Sequence, residues 1–146
     1  MKSKIPIILM AEDDPDDRLL VKDAFEETQI PNNLLFVEDG EELMSFLLKE
    51  DAESSQTPDL ILLDLNMPRK DGREALREIK ASPTLRRIPI VILTTSKDEE
   101  DVLRSYDLHA NCYITKPIDL AQFLMVVRSI EEFWLTIVRL PPERVR

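Results

Sequence analysis

The sequence predicts a parallel α/β sandwich, and two observations carry that prediction. Five short apolar runs recur along the chain, at Ile5–Met10, Leu34–Val37, Leu60–Leu63, Ile90–Leu93 and Cys112–Ile114. They are nearly continuous, as strands covered on both faces are, and longer segments of helical period separate them. Such alternation of strand and helix builds a sheet with helices on both sides. At 146 residues the chain has the length for one domain with a sizeable core, so residues 1–146 are read as a single domain.

The helices announce themselves by their starts. Asp14-Pro15-Asp16-Asp17 places a cap residue before a first-turn proline and two acids on the positive end of the helix dipole, ahead of a buried stripe of Leu20, Val21, Ala24 and Phe25. Gly40-Glu41 opens a second helix that buries Leu43, Phe46 and Leu47. Ser96-Lys97-Asp98-Glu99 has the spacing of a capping box and opens a fourth, and Asp71-Gly72-Arg73-Glu74, a looser version of the same device, opens a third. The fifth and last is extended, from about Asp119 to Arg139, with Leu120, Phe123, Val127, Ile130, Trp134 and Ile137 forming one seam. Met125, Val126, Phe133 and Leu140 fall partly outside that seam, which fits either an overlong core helix or a second face for a partner or another copy of the chain. The polar stretch from Lys49 to Pro58 is a surface loop.

Composition removes several functions. Two glycines, Gly40 and Gly72, cannot supply a dinucleotide-binding fingerprint or a phosphate-binding P-loop. The lone Cys112 and lone His109 exclude a disulfide framework and multi-histidine or cysteine-rich metal sites; Cys112 reads as a small buried residue and His109 as a surface one. A net charge of −10 argues against binding nucleic acid and favours cations and basic partner surfaces. No apolar run approaches the roughly 18 residues of a membrane span, and no secretion signal opens the chain, so a cytoplasmic location is expected.

In a doubly wound sheet, ligands sit at the carboxyl ends of the strands, beside the point where strand order reverses. The first strand here ends in Glu12 and Asp13, the third in Asp64 and the fourth in Thr94, while the fifth runs into Lys116. With strand order 2-1-3-4-5, as in flavodoxin-like folds, Glu12, Asp13 and Asp64 meet. Clustered carboxylates repel, and a hard divalent cation such as Mg2+ relieves them. Lys116 adds a point positive charge and Thr94 a hydroxyl, a set able to neutralise a phosphoryl group on Asp64. Each member alone has a plainer reading: a turn residue for Asp64, a solvated amine for Lys116. Asp14, Asp16 and Asp17 read as helix-start decoration.

At these residues the sequence resembles the receiver domain of two-component response regulators. The matching pieces are Glu12-Asp13, "DLNMPRKDG" from Asp64 to Gly72, "PIVILTT" through Thr94, and "YITKP" from Tyr113 to Pro117, over essentially residues 5–130. The resemblance implies that Asp64 accepts a phosphoryl group from a histidine kinase. It implies Mg2+ held by Glu12, Asp13, Asp64 and the backbone carbonyl of Asn66, with Lys116 contacting the phosphoryl group. Thr94 and Tyr113 are implied to be the switch pair. "RKDGREAL", "LHANCYITKP" and "IEEFWL" further resemble the stand-alone regulators paired with cyanobacterial phytochromes, which lack an output domain and can dimerise through the last helix. The expected function is therefore a phosphorylation-dependent regulator, not an enzyme, that signals through a protein partner. Its rivals are an aspartate-nucleophile phosphohydrolase, weakened because Asn66 stands where the second aspartate belongs, and a receiver-shaped scaffold that takes no phosphate.

Overall fold

The computed structural model describes residues 5–28, 31–49, 57–67, 69–94, 112–116, 118–126 and 128–129. In chain order these form β1 (Ile7–Ala11), α1 (Pro15–Thr28), β2 (Asn33–Val37), α2 (Gly40–Leu47), β3 (Leu60–Asp64), α3 (Gly72–Ala81), a 3₁₀ turn (Leu85–Arg87), β4 (Ile90–Thr94) and β5 (Cys112–Thr115). A terminal helix follows at residues 120–126. The strands are all parallel, in the order β2-β1-β3-β4-β5.

The five predicted strands are present, and the differences fall at their ends. β1 begins at Ile7 and leaves Ile5 exposed. Pro6 has no N–H for a ladder; its carbonyl accepts from Asn33 N at 2.8 Å, while Ile7 N donates to Oδ2 of Asp59 at 2.8 Å. At their carboxyl ends β1, β3, β4 and β5 each run one residue past the apolar run, to Ala11, Asp64, Thr94 and Thr115. A backbone ladder is indifferent to side-chain polarity: Leu65 N still donates to Leu93 O at 3.1 Å, and Lys116 N to Thr94 O at 2.7 Å.

Alternating side chains divide the core between two faces. Leu9, Ile61, Leu63 and Ile92 pack with Leu43 and Met44 of α2 and with Ala75, Leu76 and Ile79 of α3. Met10, Leu62, Leu93 and Ile114 pack on the other face with Val21, Ala24 and Phe25 of α1 and with Phe123 of the terminal helix. Phe25 and Phe123 meet edge to face at 6.0 Å. Leu20, Phe46 and Leu47 complete the predicted stripes as half-buried residues. Leu120 departs from its predicted seam and is 40% exposed, whereas Ile118, in the connection ahead of it, is buried in the cluster on the α1 face. Met125 is 67% exposed, outside the core as expected.

The caps follow the reading of the helix starts. Oδ1 of Asp14 accepts from Asp16 N at 2.9 Å, and Oδ1 of Asp71 accepts from Glu74 N at 3.1 Å. α2 carries an unanticipated cap: Oδ1 of Asp39 accepts from Glu42 N at 2.9 Å, and Oε1 of Glu42 accepts from Glu38 N at 2.7 Å. The fourth helix with its Ser96 cap, most of the Lys49–Pro58 loop, His109 and the seam positions Val127, Ile130, Trp134 and Ile137 lie outside the described residues.

Candidate functional site

The parity of the strands assembles the site. Met10, Leu62 and Ile114 all point to the α1 face, so the residues two positions on, Glu12, Asp64 and Lys116, lie on that same side at the carboxyl edge of the sheet. β1 and β3 are neighbours, with Ala11 beside Leu63. Glu12, Asp13 and Asp64 can each offer a carboxylate oxygen within 4.8 Å of the others. Glu12 is 0% and Asp64 1% exposed, whereas Asp13 is open to solvent. Nζ of Lys116 stands 2.8 Å from Oε1 of Glu12, 3.1 Å from Oδ2 of Asp17 and 3.3 Å from Oδ2 of Asp64. The other oxygen of Asp64, Oδ1, accepts from Asn66 N at 3.1 Å, which orients the carboxylate.

Burial pushes the Glu12 carboxyl up to about 7, with Asp64 adding to the rise and Lys116 opposing it. Burial would lower the Lys116 ammonium, but Glu12 and Asp64 outweigh it and hold the group more firmly charged than an ordinary lysine. Oε1 of Glu12 is buried, and despite its closeness to the ammonium it has no aligned hydrogen bond among the described residues. An underused buried oxygen beside two further carboxylates, with no nitrogen or sulfur donor in the set, fits a hard divalent cation.

The turn after Asp64 is pinned by both glycines. A Cβ on Gly72 would come 2.4 Å from the carbonyl oxygen of Asp64, and Gly72 N donates to Leu65 O at 3.1 Å. A Cβ on Gly40 would lie 2.2 Å from Lys70 O, the acceptor of its own N–H at 2.8 Å. Between these anchors Arg69 adopts a left-handed backbone with φ 60° and pairs with the buried Asp39. The Glu42 N–H and the Arg69 guanidinium hold the Asp39 carboxyl below the usual carboxylate range.

Thr94 ends β4 fully buried, two residues past Ile92, and so lies on the α2/α3 face. Tyr113 sits beside Ile92 on β5 and packs half-buried against that same cluster. Sequence reading missed two features. Asp17 is more than helix decoration, since its carboxylate reaches Lys116; it sits at the third helical position, where side chains lean back over the helix start. The Asp39–Arg69 pair was signalled only by Asp39 standing ahead of Gly40 at a helix start.

The sequence matches the response regulator receiver domain family over residues 8–128. The chain belongs to this family. It is similar to response regulator Rcp1 of Synechocystis, 48% identical over 136 residues, which cover 92% of this chain and 92% of Rcp1. Among solved structures it resembles the phosphorylated cyanobacterial phytochrome response regulator RcpA, with TM-score 0.76, 47% identity, and 94% of this chain and 99% of that chain covered. It also resembles the Mn2+-bound form of Rcp1, with TM-score 0.75, 48% identity, and 93% and 99% covered. This receiver is therefore a phosphorylation-dependent response regulator of the two-component type, with a signalling role. No helix among its described residues is long and apolar enough to cross a membrane.

Proposed function

We propose that this receiver takes a phosphoryl group on Asp64 from the phosphohistidine of a histidine kinase. The observation that carries the reading is the placement of Asp64 at the end of β3, its Oδ2 3.3 Å from the Lys116 ammonium and its carboxylate within reach of Glu12 and Asp13. A carboxylate oxygen of Asp64 attacks phosphorus, a P–O bond forms, and the P–N bond of the donor breaks with its electron pair leaving on the imidazole. Lys116 offsets the charge of the transferring group, and Asn66 N–H keeps the acceptor carboxylate oriented. Glu12, Asp13, Asp64 and the Asn66 carbonyl would hold Mg2+, which supplies further charge neutralisation on the phosphoryl oxygens. Thr94 and Tyr113, on neighbouring strands and the same sheet face with Tyr113 beside Ile92 two residues before Thr94, are the switch pair that reads the new charge.

Similarity to Rcp1 and RcpA supports a phytochrome-type kinase as the donor. The output of this cytoplasmic receiver is a binding event with a protein partner, and the net charge of −10 favours a basic partner surface over nucleic acid. Exposed Leu120 and Met125 on the terminal helix support homodimer formation there. The acyl phosphate is lost by slow self-dephosphorylation, since Asn66 offers no carboxylate to activate water.

Incubation with Mg2+ and acetyl phosphate tests the assignment by intact mass. One phosphoryl mass on the wild type and none on Asp64→Asn is expected. An unmodified wild type, or an equally modified Asp64→Asn, would remove it.

A further inference from the structure

Lys116 has three N–H donors, and three carboxylates surround it. Glu12 and Asp64 come from the sheet and belong to the acceptor and cation pocket; the third, Asp17, comes from the first turn of α1, 3.1 Å from Nζ. Helix-start duties are met without it, because Asp14 caps α1 through Asp16 N. Asp17 is largely buried, and its carboxylate is directed to the lysine.

From this geometry we infer that Asp17 is a positioning residue for phosphoryl transfer, an anchor on α1 that holds the Lys116 ammonium over Asp64. The inference rests on the phosphoacceptor reading of Asp64. A cation and a phosphoryl group in the pocket would engage oxygens of Glu12 and Asp64, and among the described residues Asp17 is the carboxylate contact of Lys116 that would remain outside. A lysine stem has several rotatable bonds, so an ammonium held from one side only spends less time where the transferring oxygens arrive. The anchor also ties the phosphorylation site to α1 through the ammonium.

The test compares the rate of phosphorylation by acetyl phosphate, at saturating and at varied Mg2+, in wild type, Asp17→Asn, Asp17→Glu and Asp16→Asn. Asp16 lies in the same helical turn and is not an ion-pair partner of Lys116, so Asp16→Asn removes the same dipole charge without touching the anchor. Asp17→Asn is expected to lower the saturating rate by about three- to tenfold, the range of one partly exposed charged contact. Half-saturating Mg2+ should stay within about twofold, Asp16→Asn should match wild type, and Asp17→Glu should recover most of the rate. Circular dichroism checks that each variant is folded. A wild-type rate in Asp17→Asn, or equal slowing in Asp16→Asn, overturns the role of Asp17 alone. A wild type that takes no phosphoryl group overturns the reading of Asp64 and this inference with it.

Discussion

Glu12 shows what position does to a single residue. It follows a strand whose residues are all buried, so its carboxyl is carried into the core and pushed up to about 7 from an ordinary 4.5. Because the folded state holds this proton more tightly than the unfolded chain, its contribution to stability is full below pH 4.5 and is lost as the pH rises through about 7. In a chelator-containing buffer, urea unfolding midpoints of the wild type should therefore fall between pH 5 and pH 8. Glu12→Gln, with no proton to lose, should flatten that slope; an unchanged slope would assign the dependence to other groups.

At the scale of elements, the turn from Leu65 to Asp71 is the segment on which the acceptor depends. It is clamped at one end by Gly72 against the Asp64 carbonyl and at the other by the α2 start, through Gly40 N to Lys70 O and Asp39 to Arg69. The left-handed backbone of Arg69 costs about 1 kcal/mol and persists because these partners over-determine it. Gly72→Ala places a Cβ against backbone atoms that cannot swing aside, so α3 must shift. The expected loss is about 2–3 kcal/mol in chemical denaturation, the scale of overpacking in a tight site. Loss below about 0.5 kcal/mol, with phosphorylation by acetyl phosphate at the wild-type rate, would show that the turn tolerates displacement.

For the whole molecule, the two-faced sheet separates tasks. The α1 face carries Glu12, Asp64, Lys116 and Asp17, while Thr94 and Tyr113 lie on the α2/α3 face. The proposed dimer adds a surface to this division, and its exposed apolar residues are Leu120 and Met125. Light scattering across protein concentration, with and without acetyl phosphate, should show a dimer that Leu120→Glu with Met125→Glu weakens by about tenfold or more, as two desolvated charges would. A wild type that stays monomeric at every concentration in both states would sink the dimer.

The sequence by itself determined the order of the five strands and of the helices among the described residues, the parallel sheet, the helix starts at Asp14 and Asp71, and the acids and lysine that meet at the sheet edge. These are legible because buried strands and capped helices impose local residue patterns with periods of two and 3.6. Tertiary structure alone decided which carboxylates share Lys116, that Asp17 is one of them, and that Asp39 is buried against Arg69. It also decided that Leu120 is exposed while Ile118, two residues earlier, is buried. The physical reason is common to all of these. A pairwise contact between distant segments depends on where strand ends and helix starts stop in space, and local periodicity carries no record of that.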